Sequence, residues 1–170
     1  GVARPLGGES MDESSFLETT AEVSVAFTGF IGIFLALATR DGRFRPAEGW
    51  SIRLIVVCSV APAFYSVVPL LLRALGLSGA PLWRVSSAVV LSSVLAGGPY
   101  LVRRLRELPP GEGRSLNLMF WLSVLALLSC LVNVLGWPWS PSGGVYLVTV
   151  WSIIGVAAGN FVGLIFSKVL

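Results

Sequence analysis

The side chains able to do chemistry in this 170-residue chain are few, and almost none of them is charged inside an apolar run. Histidine is absent, which removes imidazole-ligated haem and zinc and every Ser/His or Cys/His nucleophile pair. Aspartate occurs only at Asp12 and Asp41, outside the apolar runs, so no aspartyl pair can act within them. Cys58 and Cys130 form no CxxC motif, and on their helices they differ in depth by roughly 12 Å, too far for a disulfide. No GxxxxGK[ST] phosphate loop is present, and Lys168 as a base for a membrane serine is remote. The expectation is a chain that is not an enzyme, with no catalytic residue, no metal and no cofactor.

What remains is neutral polarity and small residues inside apolar segments. Ser59, Pro62, Ser66 and Pro69 recur along one side of a helix. Each proline frees the carbonyl four residues earlier, at Cys58 and Tyr65, which must then find another donor. That pattern suits either a cavity wall or a kinked packing helix. Gly97-Gly98-Pro99 reads as a comparable break. Gly155, Gly159 and Gly163 put three glycines on one helix face and mark a close helix contact, within the chain or between copies. Gly29 and Gly32, with Ala26 and Ala36, form a second small-residue seam. Asn160 beside the last glycines is interhelical glue or a path contact. Glu22 is an ionisable group at a membrane boundary; it either caps a helix, through the Thr19/Glu22 or Ser15/Glu18 spacing, or acts in function. At helical rise Glu22, Arg73, Arg84 and Asn133 share one depth, which suggests a polar cluster in which Glu22 pairs with an arginine.

The elements that must position these residues are membrane helices. The chain is 55% hydrophobic and 12% charged, with mean hydropathy +0.83, too little charge to cover a water-soluble fold of this size. Five segments approach the roughly 20 apolar residues that cross a hydrocarbon core: 21–39, 52–72, 82–102, 116–136 and 145–167. The third is the weakest, since Arg84 and Gly97-Gly98-Pro99 leave about 15 uninterrupted apolar residues. The predicted fold is all-α, a five-helix transmembrane bundle forming a single domain over 21–170. A polar segment 1–20 precedes it, whose first ten residues are expected to be an upstream extension before Met11.

Loop charge orients the bundle. Arg40, Arg43, Arg45, Arg53, Arg103, Arg104, Arg106, Arg114 and Lys168 fall on one side, and Arg4, Arg73 and Arg84 on the other. The positive-inside rule then predicts the N-terminus outside and the C-terminus inside. Trp83, Trp137, Trp139 and Tyr146 are expected to form one interfacial belt, Trp50 and Tyr100 the other. The basic loops carry Arg40, Arg43, Arg45, Arg103, Arg104 and Arg106, mixed with acid. They read as orientation signals and contacts to anionic lipid headgroups, then as a docking face for a cytoplasmic protein partner. Nucleic acid is not implied.

The run LETTAEVSVAFTGFIGIF, residues 17–34, resembles the opening of a group of small bacterial multispan membrane proteins. The likeness extends loosely to the Trp/Pro loop and to the closing NFVGLIF. It implies a bacterial inner membrane and carries over no activity and no site residue. Together these features predict an oligomeric membrane protein that forms or lines a path for a small solute or ion. The alternative is a non-transporting anchor or sensor subunit that docks a partner through its Arg-rich loops.

Overall fold

The computed structural model describes residues 9–38, 46–106, 116–136 and 141–169, and every regular element among them is an α-helix. Five helices follow in order: α1 (Glu9–Ala38), α2 (Pro46–Ala74), α3 (Gly79–Arg106), α4 (Leu116–Leu135) and α5 (Gly143–Val169). Four of them carry stretches long and apolar enough to cross a membrane: Ser14–Leu37, Ile52–Ala74, Gly79–Pro99 and Gly143–Phe166. In α4 the apolar stretch among the described residues, Phe120–Leu135, is shorter. Gly79–Pro99 of α3, which the sequence marks as the weakest segment, is among the four.

The reason is that α3 does not break. Its helix continues through Gly97, Gly98 and Pro99 to Arg106. A helix in hydrocarbon keeps its backbone bonds because no water competes for them, and glycine and proline are tolerated there. The start of α1 differs as well. The helix begins at Glu9, so Ser15, Glu18, Thr19 and Glu22 lie in its interior, where no orphan amide needs a cap. Thr19 instead donates to the Ser15 carbonyl one turn back, at 2.9 Å.

Helices α2, α5, α4 and α3 form a ring in that order, and α1 packs mainly on α2 with a smaller contact to α5. The turns close by backbone geometry. At the end of α2 the Leu77 amide reaches the Leu72 carbonyl and the Gly76 amide the Arg73 carbonyl, both at 3.0 Å, with Gly76 at φ 91°. These are the two bonds of a Schellman cap, and glycine supplies the left-handed residue. Gly136, at φ 69°, ends α4 with its amide 2.8 Å from the Val132 carbonyl.

The surface is apolar and the interior is partly polar. Val25, Phe30, Ile33, Phe64, Leu95, Trp121 and Phe166 are among the exposed large side chains, whereas Thr20, Ser24, Ser59, Ser66, Ser86, Ser87, Asn133 and Thr149 are buried. That arrangement suits a lipid environment, where apolar side chains gain little by turning inward and close packing holds the helices together. Trp83 and Tyr146 depart from the expected belt: both are buried, their rings 5.8 Å apart, in a core cluster with Leu17, Leu82, Val90, Cys130 and Val150. Trp121 and Trp151 lie on the surface. Trp137 and Trp139 lie outside the described residues, as do the side chains of Trp50 and Tyr100. A second cluster, nearer the other end, joins Ile31, Ile55, Phe161 and Leu164, with Phe27, Phe30 and Phe34 of α1 set edge-on around Phe161.

The glycines divide by what they meet. A Cβ built on Gly155 would stand 3.1 Å from Leu122 Cδ1 of α4, whereas Gly29 and Gly32 face open space with nothing within 4 Å. Gly155→Leu should therefore lower stability by about 1–3 kcal/mol through overpacking. Gly29→Leu and Gly32→Leu should leave the fold of one chain within about 0.5 kcal/mol. Unfolding of the purified variants in detergent checks both; equal losses at the two faces would contradict the packing described.

Candidate functional site

Pro69 has no amide hydrogen, so the Tyr65 carbonyl one turn earlier in α2 loses its helical donor. Tyr146 of α5 replaces it: its phenol donates to that carbonyl at 2.5 Å, across 81 residues of sequence. The side chain of the same residue reaches the other way, with the Tyr65 hydroxyl 2.6 Å from Ser93 Oγ of α3. Tyr65 thus joins α2 to α5 by its backbone and to α3 by its side chain. Sequence reasoning identified the freed carbonyl but neither Tyr146 nor Ser93 as a partner.

Asn133 forms the second polar node. It is buried near the end of α4, and its Nδ2 donates to Ser87 Oγ of α3 and to the Ser142 carbonyl, while its Oδ1 accepts the Ser142 amide, all at 3.1 Å. Ser142 is the N-cap of α5; its Oγ accepts the Val145 amide at 3.4 Å. One amide side chain therefore holds the backbone on both sides of the cap that starts α5. A serine just before Gly143-Gly144 is a legible cap signal, but its link to Asn133 is not. Cys130 Sγ, on the same side of α4, lies 3.6 Å from Thr149 Oγ1, and both cysteines are free thiols.

The remaining predicted positions fall as follows. Arg73 Nη1 donates to Ser14 Oγ of α1 at 3.4 Å. The Arg84 guanidinium lies against Gly136, where a Cβ would come within 2.5 Å of Nη2. A cation there complements the carbonyl end of the α4 dipole. Arg73, Arg84 and Asn133 are thus at the same end of the bundle, as shared depth suggested, each engaged with a helix end or side chain named above. Glu22 is exposed on α1, two turns beyond Ser14. Asn160 is half-buried, and its Nδ2 donates to the Val156 carbonyl of its own helix at 2.8 Å. Gly159 and Gly163 are half-buried on α5. Arg103 is exposed near the end of α3; Arg40, Arg43 and Arg45, and the side chains of Arg104 and Arg106, lie outside the described residues.

Ser59, Pro62, Ser66 and Pro69 are all buried, so the α2 face that carries them is packed against protein. With Ile55 they repeat at steps of four and three, the heptad spacing of a helix seam. Its two ends meet α1, through Ile55 in the cluster with Ile31 and through Arg73 to Ser14. On α1 the buried residues Leu17, Thr20, Ser24 and Ile31 keep the matching spacing. Their hydroxyls are internally satisfied: Thr20 donates to the Phe16 carbonyl, Ser24 to that of Thr20, and Ser59 to that of Val56, at 2.7, 2.8 and 3.0 Å. Ser66 Oγ has no hydrogen-bond partner. A shallow apolar groove of about 180 Å³ between α4 and α5, lined by Leu128, Ser129, Val132, Val145 and Val148, has the lining of a lipid-tail contact.

No family model, curated protein or solved structure matches the chain. Among the described residues no group of three or more cysteine and acidic side chains is placed to hold a metal ion. The functional reading therefore rests on the geometry.

Tyr146→Phe removes the donor and leaves the Tyr65 carbonyl orphaned in the core, which should cost about 2 kcal/mol. Tyr65→Phe should cost less than about 1 kcal/mol, because Ser93 keeps its bond to the Val90 carbonyl, 2.7 Å away. Thermal unfolding of both variants in detergent decides, and a reversed order would remove Tyr146 from this role.

Proposed function

We propose that the chain is a multi-pass membrane protein of five spans, N-terminus outside and C-terminus inside, whose neutral polar interior forms a path for a small solute. The observation that carries the reading is the inversion of polarity: an apolar surface around buried Ser, Thr and Asn side chains contributed by all five helices. Glue alone would place these groups across helix pairs, but most of the hydroxyls bond their own helix and keep lone pairs free. The fifth span is α4, whose 20 residues reach about 30 Å at helical rise, the thickness of a hydrocarbon core. The nine-to-three division of basic residues supports the orientation.

On this reading the described state is closed, because Ser59, Pro62, Ser66 and Pro69 are buried. The role is non-catalytic, the setting a bacterial inner membrane in keeping with the resemblance of residues 17–34, and the lipid bilayer is the first partner. The exposed Gly29 and Gly32 face supports assembly with further copies, since small residues allow close approach between membrane helices. The competing reading, a non-transporting subunit that docks a cytoplasmic protein through its Arg-rich loops, draws on the tight packing of that same α2 face.

Liposomes carrying the purified protein should pass small neutral solutes well above the rate of protein-free vesicles. In a Cys58→Ser, Cys130→Ser background, a cysteine at Ser59 should react with a water-soluble thiol reagent as the path opens. Absence of flux together with full protection of that cysteine would replace the path by the docking subunit.

A further inference from the structure

Ser66 lies between two prolines in the α1–α2 seam, fully buried, with a hydroxyl that reaches no partner. An unpaired hydroxyl at such depth is costly and calls for an explanation in a bound molecule or a strained site. The neighbouring seam hydroxyls of Thr20, Ser24 and Ser59 all turn back onto carbonyls of their own helices. Arg73 on Ser14, with Ile55 clustered on Ile31, fixes an antiparallel register that sets Ser66 level with Thr20. Thr20 donates to Phe16 and so offers its lone pairs as acceptors at that level. The Pro62 carbonyl, one turn below Ser66 on the same side of α2, adds a second acceptor lone pair.

We propose that Ser66 and Thr20 hold one small, neutral, hydrogen-bonding molecule, water in the first instance, as the polar step of the path between α1 and α2. A buried water needs two to four polar partners, and a donor on α2 level with an acceptor on α1, with no direct bond between them, is an arrangement it can bridge. The ligand is neutral because every buried polar side chain among the described residues is uncharged. An ion at this position would lose its hydration with no opposite charge to replace it. The transit role rests on the path reading given above, whereas occupancy of the site does not.

The test compares Ser66→Ala with Ser59→Ala by thermal unfolding of the purified full chain. Direct contacts alone predict that Ser66→Ala is harmless or stabilising, since it deletes a group without a partner. A bound water predicts the opposite, because a molecule held only by the folded state stabilises it: Tm should fall by about 3 °C for Ser66→Ala and by less for Ser59→Ala. An unchanged or raised Tm for Ser66→Ala overturns the site. Osmotic water flux and glycerol flux into liposomes, run on the same two proteins, then report on transit separately. Selective loss of one flux in Ser66→Ala names the solute. Equal fluxes in wild type and Ser66→Ala overturn the transit role while the Tm result still decides occupancy.

Discussion

Hydrocarbon offers no donor to a backbone carbonyl that has lost its own, and such a group costs several kcal/mol if left alone. Pro69 creates one at Tyr65, in the C-terminal part of α2. The rest of the arrangement depends on how it is answered. Tyr146 must be buried and must point at α2, which draws the start of α5 against the end of α2. The Tyr146 ring then supports Trp83 of α3, and Asn133 of α4 clamps the loop and cap that deliver Tyr146 to its place. Four helices of the ring are thus coupled to the repair of one carbonyl. Removing the proline would restore the amide donor and remove the need for the tyrosine.

A second constraint follows from the weakness of the hydrophobic effect between helices in lipid. Contact must come from close approach and van der Waals packing. Serine, threonine and proline serve this in the α1–α2 seam, because a hydroxyl that bonds the carbonyl one turn back occupies little more space than alanine. Gly155 does the same for α5 on α4, with Leu122 filling the space a side chain would take. The outward faces of α1 carry small residues with no such occupant, and the chain by itself leaves them to lipid or to another copy.

The helical class and the approximate position of every helix were legible in the sequence, because about 20 apolar residues between basic loops have few other solutions. So was the carbonyl freed by Pro69, which follows from covalent structure. Its donor was not, since nothing local to Tyr146 distinguishes a tyrosine that anchors at an interface from one that turns inward. The burial of Trp83 was not legible for the same reason: interfacial preference is an average over exposed positions, and both rings are inside. The capping assignments at Thr19 and Ser15 failed because the helix extends back to Glu9, through residues too polar for an apolar window to include. Gly97-Gly98-Pro99 misled in the other direction: the helix runs on through them to Arg106, and helix-breaking rules drawn from water-exposed helices are weaker for apolar ones.

The character of the interior bears on what this protein can handle. A charged solute crossing a bundle must be met by opposite charge or by many ordered dipoles. The buried polar side chains are instead one asparagine and a set of serines and threonines, and the asparagine is fully committed to Ser87 and Ser142. The arginines at the same end are directed to helix ends and side chains and not into the core. Hydroxyls that have given their hydrogen to a neighbouring carbonyl accept bonds but do not hold a charge. On the path proposed above, a molecule able to donate to such acceptors, receive one bond from Ser66 and carry no charge is the guest that fits these groups without rearranging their hydrogen bonds.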